Sequence, residues 1–502
     1  MKYDRASGIL LHPTSLPGPY GIGDIGPQAY RWIDFLADSG CNLWQVLPLG
    51  PTGYGDSPYQ CFSAFAGNPF IISPDELSQE KLLHTNDLIE LPNIQNGIID
   101  YGKIIPWKNG VLDRAYIQFK RINASPIKRE YDLFLQHNEQ WLDDFALFMA
   151  LKEKHAGAPW VSWQEAIRKR EPTALAAVRE ELKIAIERQN FRQFIFYRQW
   201  NKLREHAKSK NIQIIGDMPI FVAHDSADVW ANPELFHLDS NGYPTVVAGV
   251  PPDYFSPTGQ LWGNPLYIWD QHKSQNYSWW VERFRSVLNM VDIVRLDHFR
   301  GFSGYWQIPA NAPTAEIGVW VEGPGKEFLS SIQQALGDLP IIAEDLGVIT
   351  QDVIELREEF HLPGMKILQF AFSGDPTDPF LPHNYPRNCV VYTGTHDNDT
   401  ARGWYERVSE EERGFYRRYL NCDGHDIAWD LIRASWASVA MIGVAPIQDF
   451  LNLDNFARMN YPGNPSGNWT WRMGENAINK ELANRIYDVN YLYGRLNSIS
   501  QY

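Results

Sequence analysis

Eight short apolar segments recur along the chain, each bounded by Gly, Pro or polar residues. They cover residues 8–12, 42–48, 212–220, 292–297, 340–344, 365–370, 390–393 and 439–444. Continuous runs of this length, rich in β-branched side chains, are typical of strands buried on both faces. Apolar positions at helical spacing lie between most of them, at residues 29–39, 279–289, 326–336, 351–360 and 410–420.

This alternation predicts an α/β fold, a closed parallel (β/α)8 TIM barrel. A doubly wound open sheet is the alternative, although no GxGxxG motif follows an early strand. Long connections occur at residues 49–211, which are largely helical in pattern, and at 221–275 and 298–325. All three leave the carboxyl ends of strands, the side on which barrel active sites are built. We therefore expect one catalytic barrel over residues 1–502, with a helical subdomain and two loops that cover the active site.

The composition narrows the class of ligand. The 502 residues are 44% hydrophobic and 21% charged, with a net charge of −15. Nucleic acid and anionic membranes are disfavoured as partners, because binding them needs clustered Lys and Arg. The four cysteines show no CxxC spacing, and the first residues lack the long apolar region of a signal peptide. We expect a cytoplasmic protein with a neutral ligand.

The strand predicted at residues 292–297 ends in a carboxylate. Side chains alternate between the two faces of a strand, so Arg295 and Asp297 point the same way. The guanidinium would keep that carboxylate ionised, as a carboxylate nucleophile requires at neutral pH. A buried structural ion pair at a strand end is the alternative interpretation.

Polar side chains also occur at the corresponding ends of other predicted strands. They are Asp217, Glu344, Asp345, His396, Asp397, Gln448 and Asp449. For Asp345, and for Asp399 two positions after Asp397, helix capping is the preferred interpretation. Converging carboxylates serve either metal binding or glycosidic bond cleavage, and Arg295 beside Asp297 argues against a cation. An ionised Asp297 and a Glu344 whose pKa is raised by apolar surroundings fit a nucleophile and a proton donor.

Eight longer motifs, in order along nearly the whole chain, resemble those of one enzyme family. They are SGILLHPTSLPGPYGIGDIG (7–26), YGDSPYQ (54–60), GDMPIFVAHDSADVWANPELF (216–236), VAGVPPDYFSPTGQLWGNPLY (247–267), VRLDHFRGF (294–302), IIAEDLG (341–347), GTHDNDT (394–400) and PGNPSGNWTWR (462–472). The chain resembles the 4-α-glucanotransferases of the amylomaltase (disproportionating enzyme) family, glycoside hydrolase family 77, which is related to the α-amylases.

The resemblance implies roles for individual residues. Asp297 matches the nucleophile, Glu344 the general acid/base, and Asp397 the residue that stabilises the strained sugar and the oxocarbenium-like transition state. The implied substrate-binding residues are Tyr59, Asp217, Arg295, His298, His396, Asp253, Trp262 and Asn468, and the last three lie on loops that match flaps over bound glucan. The resemblance further implies no metal, no cofactor and no C-terminal β-sandwich domain. The implied ligands are α-1,4-glucans, maltooligosaccharides and glucose, bound by a monomer or homodimer.

The expected reaction is a retaining double displacement that transfers a segment of an α-1,4-glucan to the 4-hydroxyl of an acceptor. The same three acids would serve an α-glucan hydrolase equally well, so the preference for transfer rests on the resemblance. A non-catalytic glucan-binding scaffold is a third hypothesis, and it would need no set of acids.

Overall fold

Each of the eight predicted strand segments overlaps an observed strand, and these strands form one sheet. A computed structural model describes residues 5–88, 91, 92, 94, 97–123, 125–252, 256–464 and 466–496. In this part of the chain the strands are β1 (Ala6–Leu10), β2 (Leu43–Gln45), β3 (Gln213–Pro219), β4 (Val246–Val250), β5 (Gln260–Pro265), β6 (Ile293–Asp297), β7 (Gly304–Pro309), β8 (Val319–Glu322), β9 (Ile341–Ala343), β10 (Gly364–Ile367), β11 (Cys389–Tyr392) and β12 (Ile442–Pro446).

The helices include one at each of the five segments with helical apolar spacing. In chain order they are α1 (Pro27–Asp38), α2 (Pro74–Gln79), α3 (Tyr101–Arg121), α4 (Pro126–Lys154), α5 (Glu165–Arg168), α6 (Pro172–Glu181), α7 (Lys183–Ser209), α8 (Ala227–Ala231), α9 (Trp269–Ser274), α10 (Ser278–Met290), α11 (Gly325–Leu336), α12 (Gln351–Glu359), α13 (Ala401–Arg407), α14 (Glu410–Leu420), α15 (Ile427–Ala437), α16 (Ile447–Phe450) and α17 (Lys480–Leu492). None of these helices is long and apolar enough to cross a membrane.

The first sheet closes on itself. Its strand order is β10–β11–β12–β1–β2–β3–β6–β9, and all hydrogen-bonded neighbours are parallel. The two ends of that order, β9 and β10, contact each other. The first and last barrel strands, β1 and β12, are direct neighbours, which excludes the doubly wound open sheet. The predicted (β/α)8 barrel is confirmed.

The alternation of side chains along β6 places two charged residues on one face of the strand. Val294 and Leu296 are fully buried, and α10 packs on the strand. Arg295 and Asp297 lie on the opposite face. The register with β3 pairs Asp217 with Arg295, so carboxylates from two strands lie beside one guanidinium.

The observed strand ends differ from the predicted ones by up to three residues, and two of these differences have a clear cause. β10 ends at Ile367, where the chain continues as a 3-10 turn over Leu368–Phe370. β12 begins at Ile442, because the preceding Met441 N–H donates to the Arg387 carbonyl instead of to a barrel strand. Apolar runs show which residues are buried but not which residue makes the first ladder hydrogen bond.

The long connections carry structure of their own. Residues 49–211 contain α2 to α7, and α7 packs on α1 and β3. Residues 221–275 supply β4 and β5, and residues 298–325 supply β7 and β8. These four strands form an antiparallel sheet in the order β5–β4–β7–β8. The two connections predicted as separate loops are therefore hydrogen-bonded to each other.

Candidate active site

The guanidinium of Arg295 is hydrogen-bonded to two carboxylates on β3 and β6. Its Nη1 donates to Asp217 Oδ1 at 2.8 Å and Oδ2 at 2.6 Å, and to Asp297 Oδ1 at 2.9 Å. Burial opposes the charge, but Asp217 and Asp297 outweigh burial and raise the pKa of Arg295 well above its usual value. The side chain of Asp217 is 0% exposed and that of Asp297 is 28% exposed. Of the two carboxylates, Asp297 is the one that a ligand can reach.

Tyr59, from the first long connection, packs against the same group. Its hydroxyl donates to Asp217 Oδ2 at 2.7 Å. Its ring stacks on His396 with a centroid distance of 5.0 Å and an interplanar angle of 18°. Trp469 contacts both rings, with centroids 5.9 Å from each. Burial and the nearby carboxylates raise the pKa of Tyr59 well above its usual value, so the hydroxyl stays protonated.

Glu344, directly after β9, is held by main-chain donors. The His298 N–H donates to Oε2 at 2.7 Å, and the Leu346 N–H donates to Oε1 at 3.1 Å. Burial raises the pKa of Glu344 well above its usual value; Arg295 opposes this rise and the charge of Asp297 adds to it. A carboxyl group in such surroundings keeps its proton at a pH where an exposed one is ionised.

Asp397 lies on the loop after β11, and two residues that the sequence did not indicate support it. Its Oδ1 accepts a hydrogen bond from Asn460 Nδ2 at 2.7 Å and lies 3.3 Å from His396 Nε2. Its main-chain carbonyl accepts from Arg458 Nη2 at 2.5 Å. Neither Asn460 nor Arg458 follows a strand or belongs to a recognised motif, so no spacing signal pointed to them.

A further aromatic contact joins the antiparallel sheet to the barrel. The ring of Trp262, on β5, meets that of His298 edge to face, with centroids 4.8 Å apart and an interplanar angle of 88°. Burial lowers the pKa of His298 to about 4, so the imidazole is neutral near pH 7. Phe221 packs near both rings. The predicted residues Trp262 and His298 therefore form one cluster.

Asn468, another predicted ligand residue, is hydrogen-bonded within its own loop. Asn468 Oδ1 accepts from the Tyr461 N–H at 3.0 Å, and its Nδ2 donates to the Asn464 carbonyl at 2.8 Å. These hydrogen bonds brace the loop of Asn468 itself, and its contact with glucan stays a prediction. Asp253 lies outside the described residues.

The predicted helix-capping role of Asp345 and Asp399 is wrong. Asp345 Oδ1 accepts from the Met365 N–H at 2.7 Å, at the start of a barrel strand. Asp399 is ion-paired with Arg407 at 2.6 Å. The N-cap of α13 is Thr400, whose hydroxyl accepts from the first turn. Capping preferences cannot separate adjacent Asp and Thr residues, since both are good caps.

Gln448 and Asp449 tie neighbouring loops together. Asp449 is buried and accepts from the Thr393 hydroxyl at 2.5 Å and the Ala401 N–H at 2.7 Å. Burial raises the pKa of Asp449 to about 6. Gln448 Nε2 donates to the Ala457 carbonyl at 3.2 Å. Their hydrogen bonds account for both side chains structurally.

The fold and the site together define a barrel enzyme that acts on glycosidic bonds. One carboxyl group has a raised pKa, and a second, nearby, is paired with a guanidinium at the carboxyl ends of parallel strands. Residues 11–477 match the family model described as 4-alpha-glucanotransferase. The chain therefore belongs to the 4-alpha-glucanotransferase family, glycoside hydrolase family 77.

Individual relatives agree with this assignment. The chain is 51% identical over 495 residues to the 4-alpha-glucanotransferase of Thermus thermophilus. This alignment covers 97% of this chain and 98% of that protein. It is 50% identical to that of Synechocystis sp., covering 98% of each. The solved amylomaltase of Streptococcus agalactiae, in complex with acarbose, superposes with a TM-score of 0.96 at 41% identity, covering 98% of this chain and 100% of that one. The protein is an enzyme that transfers segments of α-1,4-glucans, as the resemblance predicted.

Proposed function

We propose that Asp297 is the nucleophile of a retaining double displacement. The hydrogen bond from Arg295 at 2.9 Å supports this role, because it orients Oδ1 of Asp297. The second carboxylate on the same guanidinium, Asp217, is fully buried and hydrogen-bonded to Tyr59, which leaves Asp297 as the reachable one. This Asp217–Arg295–Asp297 group is the observation that carries the proposal.

Glu344 is the general acid and base in this proposal. Its raised pKa supports a protonated carboxyl group before reaction. In the first step Glu344 gives its proton to the glycosidic oxygen while Asp297 attacks the anomeric carbon, and the leaving chain departs with a free 4-hydroxyl. In the second step Glu344 removes the proton of an acceptor 4-hydroxyl, whose oxygen displaces Asp297.

Asp397 and the aromatic residues hold the sugar. Asp397, 45% exposed, would accept hydrogen bonds from ring hydroxyls of the glucose unit that reacts. The stacked rings of Tyr59 and His396 offer a flat apolar surface beside it, and Trp262 with His298 offers another.

We also propose that the whole chain forms one catalytic barrel whose three insertions cover the site. Tyr59 comes from the first insertion and contacts Asp217 of the barrel. Trp262 comes from the second and contacts His298, at the start of the third. A covered site excludes water, which favours a sugar acceptor over hydrolysis.

Maltooligosaccharides, longer α-1,4-glucans and glucose are the proposed substrates. The amylomaltase of Streptococcus agalactiae binds acarbose, and we expect this chain to bind it as well. The four cysteines are free thiols, as is usual in a reducing compartment, and a cytoplasmic location is proposed. Analytical ultracentrifugation would decide between a monomer and a homodimer, the two states that the resemblance implies.

Maltotriose incubation tests the proposed reaction. A transferase produces glucose and longer oligomers with little change in the number of reducing ends, whereas a hydrolase increases that number. Asp297→Asn should lower turnover by several orders of magnitude with little change in the unfolding temperature. Asp338→Asn, exposed at the opposite end of β9, is the matched control and should keep full turnover.

Trapping the covalent intermediate tests the assignment of the nucleophile. With Glu344→Gln, a reactive glycosyl fluoride donor still forms the intermediate, because fluoride needs no protonation to leave. Mass spectrometry of peptides should place the glycosyl group on Asp297. An adduct on another residue, or normal turnover of maltotriose by Glu344→Gln, contradicts the proposal.

A further inference from the structure

A segment that follows the last barrel strand reaches back to the loop of Asp397. Asn460 Nδ2 donates to Asp397 Oδ1 at 2.7 Å. The main chain of Asn460 is held on both sides, since its N–H donates to the His396 carbonyl at 3.1 Å and its carbonyl accepts from Arg458 Nε at 2.7 Å. Only the NH2 group of an amide can donate to a carboxylate, so the orientation of the amide is determined. Asn460 therefore presents a fixed donor.

Arg458 connects both segments to a buried carboxylate. Its side chain is 13% exposed and is paired with Asp399, whose side chain is 2% exposed. Its Nη2 donates to the main-chain carbonyl of Asp397 at 2.5 Å. One side chain thus contacts Asp399, the main chain of Asp397 and the main chain of Asn460.

Asp397 needs such support because it lies on a loop. Asp297, by contrast, ends a barrel strand and has Arg295 beside it. Catalytic groups must be held within about 0.5 Å of the productive position. Among the residues that the structure describes, the partners of the Asp397 carboxylate reach only Oδ1: Asn460 donates to it, and His396 Nε2 lies 3.3 Å away. Oδ2 is left for a sugar hydroxyl.

We propose that Asn460 and Arg458 are positioning residues that fix the Asp397 carboxylate for stabilisation of the transition state. The inference rests on the proposed role of Asp397. Asn460 fixes the side-chain rotamer through Oδ1, and Arg458 fixes the main chain from which that side chain extends. Both act through Asp397 and neither is required to touch the sugar.

Asn460→Leu tests the first part, because Leu has a similar size and no donor. Turnover of maltotriose should fall about 10- to 100-fold, the range expected for one charge-assisted hydrogen bond. KM and the unfolding temperature should stay near the wild-type values, because the lost interaction matters mainly in the transition state. In an Asp397→Ala background, assayed with a glycosyl fluoride donor, Asn460→Leu should cause no further loss.

Arg458→Met and Arg407→Met form a matched pair for the second part. Both substitutions remove a guanidinium from Asp399. The Arg407 side chain is 71% exposed and pairs with Asp399, whereas Arg458 also donates to the main-chain carbonyl of Asp397. Arg407→Met should keep normal turnover, whereas Arg458→Met should lower it as Asn460→Leu does. The Asn460 variant decides the proposal even where Arg458→Met lowers stability.

The outcomes separate this inference from the proposed function. If Asp397→Ala alone leaves turnover intact, the role assigned to Asp397 is wrong. If Asp397→Ala abolishes turnover but Asn460→Leu keeps the wild-type rate, the positioning role is wrong. An equal loss from Asn460→Leu with and without Asp397 also overturns it, because the residue would then act independently.

Discussion

Replacing Glu344 by Gln tests the raised pKa of that carboxyl group through stability as well as activity. In the native protein, burial raises the pKa of Glu344 well above its ordinary value of 4.5. In the unfolded chain the same group ionises near the ordinary value. The stabilisation that comes from the native protonated form is therefore complete below pH 4.5. It is lost as the pH rises toward the native pKa, because the unfolded state then releases a proton that the native state still holds.

The size of the effect follows from proton linkage and from two hydrogen bonds. Wild type should lose about 1.4 kcal/mol of unfolding free energy per pH unit in this interval through Glu344, and the Gln variant should not. In wild type, the N–H groups of His298 and Leu346 donate to the two separate oxygens of Glu344. Gln has only one acceptor oxygen for both N–H groups. One buried N–H left unpaired costs about 1–3 kcal/mol. The variant should therefore have a lower unfolding free energy than wild type at low pH. This difference should shrink as the pH rises, because only wild type loses stability through Glu344.

Guanidinium unfolding, followed by tryptophan fluorescence from about pH 5 to about pH 8, measures this difference. Glu475→Gln, at an exposed position, is the control and should track wild type throughout. If the difference in unfolding free energy between wild type and Glu344→Gln is constant over this range, the native pKa is not raised. The physical basis for calling Glu344 the acid would then be lost, whatever the activity of the variant.

Substitutions at three other residues test separate parts of the structure. Tyr59→Phe keeps the stacked ring but removes the 2.7 Å hydrogen bond to Asp217, and kcat/KM for maltotriose should fall about 10-fold, with a larger loss for Tyr59→Ala. Arg295→Lys should lower turnover more than about 100-fold and should also lower the unfolding temperature. The reason is that a lysine cannot reproduce the contacts of Nη1 with both Asp217 and Asp297. Full activity of this variant at pH 7 would refute the prediction. Arg495→Met removes a fully buried guanidinium that donates to main-chain carbonyls at 2.8, 2.9 and 3.0 Å, and the unfolding free energy should fall by about 3 kcal/mol with KM unchanged.

The barrel could be predicted because each of its strands carries its own signal. A strand covered by helices on one face and by the barrel interior on the other must be apolar nearly throughout, as the four consecutive buried residues of β11 show. Strand ends carried less information. Val439 belongs to the predicted eighth strand by composition, yet it is 53% exposed and precedes β12.

The antiparallel sheet above the barrel could not be predicted in the same way. Its central pair, β4 and β7, joins segments from two different connections. Its edge strand β8 exposes Val319 and Trp320, so its pattern resembles that of a surface loop. Pairing between distant segments of mixed exposure leaves little trace in a single sequence.

For the three acids as well, the partners could be predicted only where they lie close in the sequence. Asp297 is supported by Arg295, two positions earlier on one strand, and alternation alone predicts that pair. Glu344 receives an N–H from a residue 46 positions earlier, which follows only once neighbouring parallel strands are known. Asp397 depends on Asn460, 63 positions later in an irregular segment, for which neither periodicity nor sheet order gives a signal. A chain that keeps all the recognised motifs but lacks the amide at position 460 should therefore look intact by sequence and still turn over slowly.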